Sequence, residues 1–247
     1  MKKQLLSLVF IALFAGQSLF GQTGFPTNGA PDKRHTVYAF VNAKLHIDYQ
    51  TTIENATLII KDGLIVDAGE KIDAPKGAVV FDLKGKSIYP SLIDIYTNYG
   101  IADVKRSPSN RRGPQMESNT KGAYGWNQAI KPETDASKLF ANDSKKAEEL
   151  RKLGFGSVLT FQNDGLARGS AVFVALGDKS ENETILKDNA AAMYSFDKGS
   201  STQNYPSSLM GSIALLRQTY YDAQWYAKQN ASNKELNISL TAWSQLQ

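Results

Sequence analysis

The sequence predicts an α/β chain in which a small all-β part precedes a longer part where helix and strand alternate. Five short β-type runs fall within residues 36–83, an Asp62-Gly63 dipeptide joins two of them, and helix-period apolar patterns begin only after residue 140. With 247 residues, 42% hydrophobic, 21% charged and 10% aromatic, the chain has ample material for a core. This composition excludes disorder, collagen and coiled coil.

The elements follow in order. Residues 1–21 carry Lys2 and Lys3, then an apolar run over 5–14, then small and polar residues, which is the pattern of a secretory signal peptide. The run is too short for a membrane span, which needs about 20 apolar residues. Cleavage before Gln22 leaves 226 residues with a charge of +2 in place of +4, too small an excess to point to a polyanion partner. Residues 22–35, rich in Gly, Pro, Asn and Thr, read as a flexible lead-in. The protein is therefore expected to be exported, periplasmic or secreted, with no membrane attachment after cleavage. The absence of cysteine excludes disulfides, thiolate metal sites and a cysteine nucleophile.

Strands are expected over 36–41, 44–49, 56–61, 64–68 and 79–83, separated by turn residues. Asp62-Gly63 suits a two-residue type I′ turn, which needs positive φ at both positions. After Gly85 come an apolar strand-like run over 88–96 and a long polar stretch to about residue 137. A helix follows, with Asp143 as N-cap, Ala147, Leu150 and Leu153 on one face, and Gly154 ending it. Strands are then expected over 157–161 and 171–176. A longer helix opens at Pro206, with Leu209, Ile213, Leu216, Tyr220 and Ala223 as its core-facing stripe. Residues 238–247 begin another amphipathic pattern with no terminus-like ending.

Residues 85–100, GKSIYPSLIDIYTNYG, combine a Gly-Lys entry, a proline, the pair Ile93-Asp94 and a closing Gly100. This segment resembles the opening motif of the amidohydrolase superfamily, in which the Ile-Asp pair is followed by H-x-H at the end of the first barrel strand. The stretch 55–69, NATLIIKDGLIVDAG, is similar to the strands of that family's N-terminal β-sandwich. The resemblance implies a small β-sandwich part over residues 36–84 and the first units of a (β/α)₈ TIM-like barrel over 85–247. Eight strand–helix units need roughly 250 residues, so the barrel is expected to be incomplete and the chain a fragment of a larger protein.

The resemblance also implies an activity: hydrolysis of carbon–nitrogen bonds other than peptide bonds by a water activated on divalent metal, usually zinc. In a strand, residues i and i+2 share a face, so an H-x-H pair places two imidazoles in one pocket. Here those positions are Tyr96 and Asn98, and Ser91 stands where the family has glycine. A neutral phenol and a neutral carboxamide are weak zinc ligands. No histidine follows His46, and neither His35 nor His46 has a second histidine at ligand spacing. No metal or other cofactor is therefore expected for this chain, in contrast to the parent family.

Asp94 is the one candidate catalytic carboxylate, with backbone anchoring at the strand end as the alternative. Tyr96, Asn98, Tyr124 and Trp126 are candidate pocket residues. Lys105, Arg106, Arg111, Arg112, Lys121 and Lys131, interleaved with Tyr124 and Trp126, either grip an anionic or peptide-like ligand or form a solvated surface loop. Nothing marks nucleic-acid binding. Two functions stay open: an amidohydrolase-like exported protein whose parent class is a hydrolase, and a noncatalytic binding or scaffolding module of a larger periplasmic protein. The expected partners are a second such module or the remaining barrel, with a small-molecule or peptide-like substrate.

Overall fold

The computed structural model describes residues 36–105, 113–230 and 234–245. The expected leader, the lead-in, His35, Arg106, Arg111 and Arg112 lie outside the described residues. The chain divides into two compact units between Pro90 and Ser91.

The first unit holds β1 (Val37–His46), β2 (Thr52–Lys61), β3 (Leu64–Glu70), β4 (Val79–Asp82) and β5 (Ser87–Ile88). They form one sheet in the order β3-β2-β1-β4, with β5 also paired to β1. β1 and β3 run antiparallel to β2, while β4 and β5 are parallel to β1. Asp62 and Gly63 have φ of 53° and 77°, the two positive values a type I′ turn requires. Among the described residues the small β part is a single mixed sheet.

Two expected strands, 36–41 and 44–49, are one continuous strand. Asn42 takes φ of 59° and the register with β2 shifts between Phe40 and Ala43, so the polar residues that read as a turn are absorbed as a bulge. Ala39, Ala43, Leu45, Ala56, Leu58 and Ile59 are buried, and Phe40 stacks on its β4 partner Phe81 at 5.3 Å.

The second unit contains β6 (Leu92–Thr97), α1 (Ala136–Leu139), α2 (Ser144–Lys152), β7 (Phe155–Thr160), β8 (Ala167–Ala175), α3 (Glu181–Thr184), β9 (Ile185–Tyr194), α4 (Leu209–Ala227) and α5 (Ile238–Gln245). Its sheet runs β6-β7-β8-β9. β6 and β7 are parallel, joined through α2, whose Ala147 packs into the same core as Val158 of β7. Asp143 caps α2 by accepting from the Lys146 amide at 3.0 Å, and Gly154 leaves it at φ of 94°.

The strand expected over 171–176 forms within β8, but not as a further parallel unit of a barrel. β8 is antiparallel to β7, and β9 is antiparallel to β8. Only residues 161–166 separate β7 from β8, and a parallel crossover needs a dozen or more. The result is an α/β unit with a mixed sheet that resembles an open, incomplete barrel.

The run 88–96 is also split, because β5 ends at Ile88 and β6 starts at Leu92, with Pro90 between them. Ser91 needs no glycine-like conformation. It packs against Gly156, where a Cβ would collide with the Ser91 hydroxyl.

α4 opens after Ser208, which accepts from the Gly211 amide, rather than at Pro206. Its buried residues are Ser212, Leu215, Thr219, Ala223 and Tyr226, so the expected stripe meets the core only through Ala223 and the partly buried Leu216. Leu209, Ile213 and Tyr220 are exposed; of the five, Ala223 alone is buried. The core beneath α4 joins Leu215 and Ala223 to Ala129, Ile130, Leu166, Ala167 and Trp243.

Candidate functional site

β6 carries Tyr96 to its C-terminal end, where the ring meets Phe161 edge-on at 4.9 Å and 74°. Arg168, the second residue of β8 and only 5% exposed, reaches the same place. Its Nη1 donates to Tyr96 Oη at 2.8 Å, its Nε donates to the Gly165 carbonyl at 3.0 Å, and its guanidinium lies 5.9 Å from the Phe161 ring centroid. A buried cation is thereby held by a carbonyl, a phenol oxygen and an aromatic face.

Beside Gly165 lies a second constellation. Asp164, nearly fully buried, forms an ion pair with Lys131. Lys131 Nζ donates to Ser200 Oγ at 3.0 Å, and Ser200 Oγ donates to Asp164 Oδ2 at 2.8 Å. Burial by itself raises the Asp164 pKa, but the Lys131 bond and the Ser200 amide and hydroxyl outweigh it and hold the carboxyl below the usual carboxylate range. Gly199, at φ of 60°, lies so close that a Cβ would collide with the Asp164 carboxylate. The ammonium is spent on the carboxylate, so this group ties three segments together and leaves no free base.

The remaining sequence candidates separate. Asp94 Oδ1 accepts the Tyr96 amide at 3.0 Å. Asn98 Nδ2 donates to Asp103 Oδ1 at 2.7 Å. Trp126 stacks on Tyr205 at 6.2 Å and 14°, and Tyr124 sits in the segment bonded to α5 through the Ala123 carbonyl and the Gly125 amide. Tyr124 and Trp126 therefore belong to the α5 side of the unit, apart from the Tyr96–Arg168 pair.

The long loop expected to be a solvated surface is anchored in its described part. Gln115 N donates to Asn204 Oδ1 at 2.7 Å, Gln128 N donates to Gln203 Oε1 at 2.7 Å, and Thr202 N donates to Gln128 Oε1 at 2.9 Å. Gln203 is fully buried. Amide side chains carry no periodic signature, so this lacing was invisible in sequence, as was Arg168, which reads as one charge in an otherwise small-residue strand.

The divalent metal that the resemblance implies finds no fit at these residues. The Tyr96 oxygen accepts from a guanidinium, the Asn98 amide nitrogen faces a carboxylate, and a dication placed there would meet the charge of the buried Arg168. Among the described residues no three His, Cys, Asp or Glu side chains are grouped to hold a metal ion. His46 lies in the first unit, stacked on Tyr89 at 4.3 Å with Nδ1 3.0 Å from Thr52 Oγ1.

Among the described residues no helix is long and apolar enough to cross a membrane. The sequence matches no family model and no curated protein. Among solved structures, it is similar to an amidohydrolase from Thermotoga maritima MSB8, with a TM-score of 0.63 at 21% identity over 84% of this chain and 55% of that one. A second amidohydrolase structure overlaps 24% of this chain and 15% of its own at 34% identity, and its TM-score of 0.23 carries no argument. The chain thus spans about half the length of the Thermotoga maritima amidohydrolase and shares its fold over that span.

Proposed function

We propose that this chain is a non-hydrolytic module on an amidohydrolase-type fold, with a binding or scaffolding role in a larger exported protein. The observation that carries the reading is the bond between Arg168 Nη1 and Tyr96 Oη, which puts a cation where the resembling family has a metal-bound imidazole. The parent class is hydrolysis of carbon–nitrogen bonds other than peptide bonds through a metal-activated water. Tyr96 and Asn98 are the altered counterparts of that machinery, and in this reading Asp94, which matches the motif's Ile-Asp pair, anchors backbone.

The proposed organisation is a leader over 1–21, a lead-in over 22–35, a partial sandwich over 36–84 and an incomplete barrel over 85–247. Supporting the last part, β6 stands at the edge of its sheet with Leu92, Ile93 and Ile95 exposed, as a strand awaiting a further neighbour would. The proposed partner is the remaining barrel or a second module that supplies catalysis, in a periplasmic or secreted setting.

The test is turnover of cyclic ureides, lactams and N-acyl amino acids by the full chain, with and without added zinc. The expected result is no zinc-dependent turnover above the protein-free rate. Zinc-dependent turnover that disappears in Tyr96→Phe would overturn the reading.

A further inference from the structure

Two of the protein's three tryptophans border one cavity. Trp126 comes from the loop before α1 and Trp225 from α4, and they remain 52% and 63% exposed. The cavity, of about 140 Å³, is completed by Asn127, Asp222, Asn237 and Ser239 among others. Asp222 and Trp225 stand three residues apart on α4, which puts them on one helix face.

The polar atoms around the cavity are mostly spent inside the protein. Asn127 donates to the Tyr205 carbonyl at 2.9 Å and accepts from the Ala129 amide at 2.9 Å. Ser239 Oγ accepts from the Gly125 amide at 2.9 Å and donates to Glu133 at 2.9 Å. Asn237 Oδ1 accepts from the Leu240 amide at 2.9 Å. Asp222 differs: its Oδ1 accepts from Gln218 at 2.7 Å, and no cation pairs with it among the described residues.

Aromatic walls with one unneutralised carboxylate suit a ligand with a positive charge and an apolar body. The negative faces of indole rings attract such cations, and the attraction strengthens as water is excluded. A sugar would need several free donors and acceptors, and the cavity leaves it only the second Asp222 oxygen, the Asn237 amide nitrogen and the two indole N–H groups. The chain already uses this chemistry nearby, with Lys234 Nζ 4.0 Å from the centroid of the Tyr226 ring. Of the basic residues of the long loop that suggested an anionic ligand, the described ones, Lys105, Lys121 and Lys131, are absent from the lining.

We propose that this cleft binds an organic ammonium ion of about the size of a trimethylammonium head, with the indoles of Trp126 and Trp225 against the cation and Asp222 as its counter-ion. The cleft is separate from the Tyr96–Arg168 pair, so neither zinc binding nor turnover bears on it.

The test uses the full chain, titrated with choline and followed by calorimetry and tryptophan fluorescence. Dimethylbutanol, the uncharged carbon isostere of choline, and glucose serve as comparisons. Choline is expected to saturate within about 10 mM, with the isostere about tenfold weaker and glucose silent. Asp222→Asn and Trp225→Ala are each expected to weaken choline about tenfold while leaving circular dichroism and the melting curve unchanged, since both side chains keep solvent contact. Equal binding of the isostere, choline binding unaltered in both variants, preference for glucose, or no saturation by choline would each overturn the proposal.

Discussion

Arg168 Nη1 donates to Tyr96 Oη at 2.8 Å, joining the second residue of β8 to the end of β6 across the intervening strand β7. The bond gives a buried guanidinium an acceptor and turns the phenol away from ligand chemistry. Tyr96→Phe removes that acceptor and leaves the cation to the Gly165 carbonyl and the Phe161 face. Because Tyr96 is itself 57% exposed and water can enter, the expected loss is about 1 kcal/mol, read by urea denaturation.

The Lys131–Asp164–Ser200 group contributes to the acid sensitivity of the second unit. The Asp164 pKa is lowered in the folded state, so its contribution is present above the unfolded carboxylate value and is lost as pH falls through the folded one. Asp164→Asn is expected to cost about 2 kcal/mol at pH 7, since it leaves Lys131 without its counter-charge. The gap between wild type and variant should shrink below about pH 4, measured as the difference in denaturation midpoints. A gap that stays constant to low pH contradicts the assignment.

On α4, neighbouring apolar residues should behave in opposite ways. Leu215 is 1% exposed, and Leu215→Ala is expected to cost about 3 kcal/mol through the cavity it leaves. Ile213 faces solvent, and Ile213→Lys is expected to change stability by no more than about 0.5 kcal/mol. Thermal melts of the two variants distinguish this face from the one the apolar spacing suggested.

The β6 edge exposes Ile95, at 70%, beside unpaired backbone. Such an edge is a template for strand addition, and a lysine on it discourages pairing. Ile95→Lys is therefore expected to reduce concentration-dependent association in sedimentation experiments without lowering the melting temperature.

What the sequence revealed and what it hid divide along the range of the interactions. The Asp62-Gly63 turn, the Asp143 cap and the Gly154 stop are set by neighbours a few residues away, and all three were legible. The bulge at Asn42 was misread because a polar residue at positive φ looks the same in a turn and in a bulge. β9 was missed because ILKDNAAAMY lacks β-branched alternation in its second half and draws its stability from pairing with β8. The α4 stripe is only partly right, holding at Leu216 and Ala223, because Ser212 and Thr219 take core positions, Thr219 satisfying its hydroxyl on the Leu215 carbonyl at 2.9 Å. Arg168, Asp164 and Gln203 meet their partners across dozens of residues, and no local spacing encodes those meetings.

The proposal that Arg168 puts a buried cation where the resembling family holds its metal is tested most directly by the zinc content of the full chain after incubation with excess zinc and desalting. The account predicts zinc far below one equivalent, unchanged in Tyr96→Phe. One equivalent of zinc, lost on replacing Tyr96 or Asn98, would contradict it.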